Sequence, residues 1–301
     1  IAEELIGRGL KVEFVGSTEE LPWVETRLRA LGLKGFHRDA STLVVDPTTD
    51  VLILDSYSIP MNDLFIKESN WLRVIVLVDD ATPKYHGRLY IHCGPETSWL
   101  PDSSKVSIRF LSGIEYLPIR ESLRKIRKES KEEIPTIVTV AVIGGGSDPF
   151  DFCAAILTIL KELPENFVAT FFMDNPPLAL SDKRFRFQKL GIELETFLNH
   201  TSLIFTTAGT SSWEFLSCGF PLGIGCAADN QIANYDFLTK NHLAVGVGTH
   251  TQASTWEIDR NKVQSLLIDS TNRDLMGRRG IEIVDGYGSK RVVDAILAEL
   301  V

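Results

Sequence analysis

The most informative stretch of this sequence lies at residues 136–149 and reads TIVTVAVIGGGSDP. Its first eight residues are apolar or β-branched, which is typical of a central parallel strand that is covered on both faces. Three glycines follow, and glycine lets a backbone turn sharply and approach a ligand closely. Asp148 and Pro149 then favour a helix start, with Asp148 as the N-cap and Pro149 at the first helical position. The stretch therefore predicts a strand, a tight loop and a helix, which is the repeating unit of α/β folds.

The same rhythm continues on both sides of this stretch. Apolar runs bounded by turn residues predict strands, and amphipathic runs between them predict helices. The predicted strands lie at 11–15, 51–54, 74–78, 89–92, 107–111, 136–143, 167–173, 202–207, 222–225 and 243–247. The predicted helices lie at 1–6, 19–31, 60–69, 149–163, 210–218 and 231–240, and three more begin near 259, 273 and 289. This alternation indicates an α/β protein built on doubly wound parallel sheets.

A charged segment separates two such regions. Nine of the thirteen residues from Glu121 to Glu133 are charged, and Pro135 follows them. Such a run is typical of the solvated end of a helix with a linker after it. We therefore predict an N-terminal domain at 1–133 and a C-terminal domain at 134–301, two doubly wound Rossmann-like domains that face each other across a cleft. The last helix could pack back on the N-terminal domain.

Composition and charge restrict the classes of function. The chain has 301 residues, 44% of them hydrophobic and 24% charged, with a net charge of −9. Binding to nucleic acid or to an anionic membrane needs a concentrated positive surface, so neither partner is expected. No apolar run approaches the roughly 20 residues that span a bilayer, and the expected location is the cytoplasm. The four cysteines lack metal-ligand spacing and the glycine loops match no dinucleotide or P-loop pattern, so neither a metal nor a cofactor is expected.

Four places that follow predicted strands could carry chemistry, because open parallel sheets bind ligands at the carboxyl ends of their strands. The first is the glycine loop, which is either an anion site or a tight turn. The second reads AGTSSWE at 208–214 and has three hydroxyl residues where only one can cap a helix. That surplus favours a bound diphosphate, and Glu214 could accept hydrogen bonds from two ribose hydroxyls. The third, ADNQ at 228–231, suits a sugar ring, and the fourth combines DSY at 55–57 with DD at 79–80.

These motifs resemble, in order along nearly the whole chain, those of a known family. The C-terminal half has GGSD at 145–148, AGTSSWEFLSCGFP at 208–221 and DNQ at 229–231. The N-terminal half has DSY at 55–57, VDD at 78–80 and GIEYLPIR at 113–120. The first set is similar to the nucleotide-binding domain of GT-B proteins. The whole set is similar to the UDP-sugar hydrolases of pseudaminic acid biosynthesis and the related spore-coat polysaccharide protein SpsG.

The resemblance implies a UDP-sugar as substrate and a GT-B-like fold. It implies hydrolysis at the anomeric carbon, in which water displaces UDP and frees the sugar for bacterial surface-glycan biosynthesis, without a metal or a cofactor. The catalytic residues that it implies are Tyr57, Asp55 and Asn230, and the substrate-binding residues are Gly145, Gly146, Ser147, Thr210, Ser211, Ser212, Glu214, Gln231 and Asp80. The family's general base belongs to a G-x-G-H loop that would precede Ile1, so we expect the base in a segment upstream of this sequence.

Two other functions are open on the same residues. A GT-B glycosyltransferase would use the same donor site and pass the sugar to an acceptor, and peripheral membrane contact is expected only in that case. A nucleotide-sugar binding module without catalysis would keep the loops and lack the base. An apolar acceptor groove would favour the transferase, whereas a closed polar pocket that admits only water would favour the hydrolase.

Overall fold

The structure, a computed structural model, describes residues 1–18, 22–56, 59–78, 85–95, 108–126, 137–177, 181–189, 191 and 194–300. The chain divides into two compact units, residues 1–118 with 286–301 and residues 119–285. The division falls before the predicted boundary at 133, because Leu123 is fully buried within the second unit. Its carbonyl oxygen there accepts a hydrogen bond from the Cys218 thiol at 3.0 Å.

The secondary-structure elements follow one another as a mixture of short strands and helices. The strands are β1 (Glu13–Val15), β2 (Gly35–His37), β3 (Val51–Leu54), β4 (Arg73–Val78), β5 (Leu89–His92), β6 (Arg109–Ser112), β7 (Val138–Ile143), β8 (Phe167–Phe172), β9 (Phe185–Gln188), β10 (Leu203–Thr207), β11 (Leu222–Cys226), β12 (Val245–His250) and β13 (Trp256–Ile258). The helices are α1 (Ala2–Gly7), α2 (Pro22–Ala30), α3 (Glu121–Arg124), α4 (Phe152–Lys161), α5 (Leu194–Leu198), α6 (Thr210–Ser217), α7 (Ile232–Lys240), α8 (Arg260–Ile268), α9 (Ser270–Ile283) and α10 (Gly288–Ala298).

The first unit is built on parallel strands. β1 pairs with β2, and β3, β4, β5 and β6 lie in that order in a four-stranded sheet. Successive residues of a strand point to opposite faces, so Val74 of β4 joins one apolar cluster and Ile75 joins another. Val292 and Ile296 of α10 pack against the second cluster. Burial on both faces explains why β4 is a continuous apolar run.

The second unit is built on a seven-stranded sheet in the order β13-β12-β11-β10-β7-β8-β9. All neighbours are parallel except β12 and β13. The chain runs outward from β7 through β8 to β9 and then returns to build β10, β11 and β12 on the other side of β7. This reversal between β7 and β10 is a topological switch point, where open α/β sheets bind their ligands.

One predicted helix, at 60–69, is wrong. Local side-chain bonds hold this segment in turns, since the Asp63 carboxylate accepts the Phe65 N–H at 2.8 Å and the Asn70 amide donates to the Leu64 carbonyl at 2.6 Å. Such bonds compete with the helical pattern, and only a single 3₁₀ turn forms, at Glu68–Asn70. The hydrophobic pattern also fails to predict β2, β9, β13 and α5. Over the residues described above, no helix is long and apolar enough to cross a membrane.

Candidate functional site

Two glycine-containing loops meet at the switch point of the second unit. β10 pairs with β7 on one side and with β11 on the other, so the carboxyl ends of the three strands lie side by side. Thr207, the last residue of β10, is buried between the loops. Its Oγ1 lies 3.8 Å from the position that a Cβ on Gly145 would take and 4.0 Å from the corresponding position on Gly209. The loops at 144–149 and 208–209 therefore border one small region.

The N-terminus of α4 is already occupied by a carboxylate of the chain itself. Asp148 accepts the N–H of Phe152 at 2.9 Å and the N–H of Cys153 at 3.0 Å, one on each carboxylate oxygen. The helix begins at Phe152 and not at Pro149 as predicted. Gly144 is required here, because a Cβ at that position would stand 1.8 Å from Asp148 Oδ1. With two N–H groups of its first turn bonded to a carboxylate beside the positive end of its dipole, this helix end is a poor place for a second anion.

The rest of the glycine loop stays open to solvent. Gly145 has φ +103°, a conformation that other residues rarely adopt. Gly146 and Ser147 are exposed, and Gly145 is half-buried. These three predicted site residues thus lie at the switch point, beside Thr207, with their surfaces accessible.

The N-terminus of α6 is open. Its N-cap residue is Gly209, which has no side chain to accept the first N–H groups, and no other side chain in the described residues caps it. Thr210 is exposed and Ser211 is half-buried. By contrast, α8 and α9 are capped by the carboxylates of Asp259 and Asp269. The first turn of α6 therefore presents unbonded donors and the positive end of its dipole.

Ser212 does not share this exposure. It is fully buried, and its hydroxyl donates to the Gly209 carbonyl at 2.7 Å, to which its own N–H also donates at 3.1 Å. Of the three hydroxyl residues predicted to bind a diphosphate, Thr210 and Ser211 are thus accessible at the start of α6, whereas Ser212 is buried.

A side-chain amide from the next loop approaches α6. Gln231 accepts the Ala227 N–H on its Oε1 at 3.0 Å, which fixes the orientation of the amide. Its Nε2 lies 3.6 Å from the position that a Cβ on Gly209 would take. The amide N–H₂ group is thus directed at the start of α6, while Asn230 is exposed beside it.

Glu214, predicted to bind ribose, already holds an ion pair. Arg120 donates from Nε to Glu214 Oε1 at 2.7 Å, from Nη2 to Oε2 at 2.8 Å, and from its backbone N–H to Oε1 at 3.3 Å. Burial by itself would lower the pKa of Arg120, but the bonds to Glu214 and its charge outweigh that effect and raise the pKa. The Arg120 guanidinium therefore stays charged beside Glu214, whose side chain is only 9% exposed.

The predicted residues of the first unit are only partly described. Asp55 directly follows β3 and is exposed, whereas Tyr57 and Asp80 lie outside the described residues. In the second unit, Thr207 borders both loops but is not among the predicted residues, although its place at the end of an apolar strand was a usable signal. Sequence reasoning also gave no role to Arg120. In the part of the chain that the structure describes, no group of three His, Cys, Asp or Glu side chains could hold a metal ion.

Comparison with known proteins connects this architecture to a fold family. A scan against protein-family models and a search of curated proteins both give no match. Solved structures do match over the whole chain. The structure of MurG from Acinetobacter baumannii is 14% identical, with a TM-score of 0.60 over 99% of this chain and 94% of that one.

Two further structures match equally well. The kitacinnamycin glycotransferase is 14% identical, with a TM-score of 0.61 over 100% of this chain and 94% of that one. The calicheamicin glycosyltransferase CalG4 is 12% identical, with a TM-score of 0.58 over 99% and 92%. Likeness at such low identity establishes the architecture alone. Together with the parallel sheets and the switch point, it shows that this chain has the GT-B fold.

Proposed function

We propose that this chain is a glycosyltransferase whose second unit binds a UDP-sugar as the donor. The observation that carries the proposal is the open N-terminus of α6 at the switch point of a GT-B fold. Two of the similar structures are named as a glycotransferase and a glycosyltransferase, and these names favour transfer to an acceptor over the hydrolysis that the motifs imply. The motifs themselves support UDP as the nucleotide.

The diphosphate would lie at the start of α6. The backbone N–H groups of the first turn and the hydroxyls of Thr210 and Ser211 are donors of the kind that phosphate oxygens accept, and the helix dipole favours the negative charge. The end of α4 repels such a charge, because the Asp148 carboxylate already lies there. Gly145, Gly146 and Ser147 would border the phosphates, and Gln231 would direct its amide toward the sugar.

The same arrangement would assist the chemical step. In the transfer, an acceptor hydroxyl oxygen bonds to the anomeric carbon, its proton passes to a base and from there to solvent, and the bond from that carbon to the β-phosphate oxygen breaks. The bonding electrons leave with UDP, so negative charge grows on the diphosphate. Donors fixed in advance on α6 would stabilise that charge, as preorganised donors do in enzymes generally.

A single substitution tests the phosphate site. Gly209 has φ −83°, which any residue can adopt, and a Cβ there would meet its nearest neighbour at an ordinary 3.6 Å. Gly209→Asp would therefore cap α6 with a carboxylate, which helices favour at this position. We expect the fold and the melting temperature to be preserved while the Kd for UDP, measured by calorimetry, rises at least about tenfold, since a negative charge replaces the phosphate.

Gly209→Asn is the matched control, because it adds a side chain of the same shape without the charge. We expect Gly209→Asn to weaken UDP binding less than Gly209→Asp does. If the aspartate variant is folded and binds UDP as tightly as the wild type, the diphosphate does not lie at α6 and the proposed site is wrong.

Transfer and hydrolysis are separated by the fate of the sugar. The wild-type protein is incubated with a panel of UDP-sugars, alone and with hydroxylated acceptors that range from simple sugars to phenols. We expect UDP release that depends on an acceptor, together with a glycosylated product detected by mass spectrometry. If free sugar forms at the same rate with and without an acceptor, the protein is a hydrolase and not a glycosyltransferase.

A further inference from the structure

The ion pair between Arg120 and Glu214 carries an inference that rests on the proposed function and deepens it. We infer that Arg120 is a positioning residue that makes Glu214 the acceptor for one ribose hydroxyl of the nucleotide. Arg120 would stay paired when the nucleotide binds and would thereby decide how strongly the site distinguishes a ribonucleotide from its deoxy analogues.

The geometry of the pair leaves limited capacity on the carboxylate. An ionised carboxylate has about four acceptor positions, two on each oxygen. Glu214 Oε1 accepts both the Nε–H and the backbone N–H of Arg120, whereas Oε2 accepts only the Nη2–H, among the residues that the structure describes. One acceptor position on Oε2 therefore has no partner among the described residues. As held, Glu214 can accept one hydroxyl fully and cannot clamp two vicinal hydroxyls, one on each oxygen.

The surroundings hold Arg120 in place. Its side chain is 25% exposed, and a second carboxylate, that of Glu195, lies 3.8 Å from Nη1 and is 14% exposed. The Ser122 hydroxyl donates to that second carboxylate at 2.7 Å. Arg120 thus lies between two largely buried negative charges. Removing it would leave the buried Glu214 carboxylate without its cation, which buried carboxylates tolerate poorly, so the pair is expected to persist when a ligand arrives.

The position of Glu214 on its helix fits the ribose. Thr210 is the first residue of α6 and Glu214 the fifth, so both lie on the same face, one turn apart. At about 1.5 Å of rise per residue, the carboxylate is roughly 6 Å along the axis from the open N-terminus. A nucleotide whose phosphates lie at that N-terminus would therefore bring its ribose close to Glu214.

The experiment compares the affinities of three nucleotides for the wild type and for a variant at Arg120. The Kd values of UDP, 2′-deoxy-UDP and 3′-deoxy-UDP are measured by calorimetry on the wild type and on Arg120→Lys. We expect the wild type to lose about tenfold in affinity for one of the two analogues and little for the other. Lysine keeps the charge but not the two-pronged geometry, so in Arg120→Lys the difference between the analogues should largely disappear.

Arg124→Lys is the matched control. Arg124 lies on α3 with an equally bidentate pair to Glu121, at 2.7 Å for both bonds, on a different carboxylate from Glu214. We expect this variant to bind all three nucleotides as the wild type does. Glu195→Gln is a second variant for the case that Arg120→Lys does not fold. This change removes the negative charge beside Arg120 Nη1 without altering Glu214. It should partly reduce the difference in affinity between the two deoxy analogues.

The outcomes separate the inference from the proposed function. If the wild type does not bind UDP, the proposed function fails and the inference fails with it. If UDP binds but Arg120→Lys weakens all three nucleotides by one factor, Arg120 has a structural role only, and this inference alone is overturned. Equal loss with both analogues on the wild type would also overturn it, because Glu214 would then be accepting both hydroxyls.

Discussion

Asp148 shows how a single side chain separates two helix ends that resemble each other in sequence. Both α4 and α6 follow a strand and a glycine-containing loop at the switch point. Asp148 adopts φ +49°, which aspartate tolerates better than most residues, and in this conformation it bonds the N–H groups of Phe152 and Cys153. Asp148 of the glycine loop therefore caps the N-terminus of α4, whereas the N-terminus of α6 has no side-chain cap among the described residues.

Removal of this cap tests that assignment. Asp148→Ala should lower the free energy of unfolding, measured in urea, by about 1 kcal/mol, the usual effect of losing a carboxylate cap. The affinity for UDP should not fall, because a negative charge near the phosphates has been removed. Asp269→Ala, which uncaps α9, is the control and should cost similar stability with no effect on UDP. A large loss of UDP affinity in Asp148→Ala would place Asp148 in the binding site.

At this scale the sequence predicts where the loops lie but not which of their side chains are accessible. Thr210, Ser211 and Ser212 look equivalent in the sequence, yet only the first two are accessible, because a hydroxyl at the third helical position bonds back to the Gly209 carbonyl. Arg120 stands 94 positions from Glu214. No local pattern reveals a pair at that separation, since only the packing of α3 near α6 brings the two together.

Among the elements, α6 owes its position to a close approach by α9. A Cβ on Gly277 would stand 2.5 Å from the Gly219 carbonyl oxygen, and a Cβ on Gly280 would stand 2.8 Å from that of Leu216. Both glycines are buried, so the backbones of α9 and α6 meet without side chains between them. The helix that presents the open N-terminus is thus supported directly by a second helix.

Gly277→Ala should therefore destabilise the protein although alanine is the better helix former. Overpacking against the Gly219 carbonyl is expected to cost about 1–3 kcal/mol, more than the gain of up to about 1 kcal/mol in helix propensity. Urea unfolding measures the net change in the free energy of unfolding, in which the overpacking cost and the gain in helix propensity are combined. Arg278→Ala is the control on the next residue, since its ion pair with Asp274 is exposed and should contribute little. A higher urea midpoint for Gly277→Ala would show that α9 can move away from α6.

The sequence predicts most strands and helices and misses four short elements. The apolar run of β7 and the amphipathic pattern of α7 are confirmed to within a few residues. The missed strands include β13, with three residues, and β9, with four. At 60–69 the pattern suggested a helix, but it could not weigh the side-chain bonds of Asp63 and Asn70 against the helical ones.

On the scale of the whole molecule, the last segment of the chain, residues 286–301, belongs to the first unit and not to the second unit that precedes it in sequence. α10 places Val292 and Ile296 against the apolar face that includes Ile75. Beyond it, Glu299 accepts from Arg88 at 3.0 Å and from Arg109 at 2.7 Å. The Glu299 side chain is only 4% exposed, so the last turn is fixed by buried charge as well as by apolar contact.

Shortening the chain after Asp285 should damage the first unit selectively. The face around Ile75 would lose its cover, so we expect increased binding of a hydrophobic dye and rapid proteolysis within residues 1–118. Residues 119–285 should keep a cooperative thermal transition, measured by calorimetry. A chain shortened after Glu299 is the control and should behave as the full chain does. Loss of both transitions would show that the second unit also depends on α10.

The division between the units lies before the charged run from which the boundary was predicted. The charged run at 121–133 marks a change in composition, but Ile119 and Leu123 just before and within it are buried in the second unit. Sequence patterning detects solvation and not which core a residue joins. A contact such as that between Arg8 and Asp294, 286 positions apart, is invisible until the fold is known.

The two outer strands of the seven-stranded sheet have a further consequence. β13 and β9 form its edges, and each is short and carries an exposed charge, Glu257 on one and Arg186 on the other. A long, flat, apolar edge invites pairing with another molecule and so promotes aggregation, whereas short charged edges discourage it. The shortness of β9 and β13 and the charge on each thus protect the sheet from edge-to-edge association.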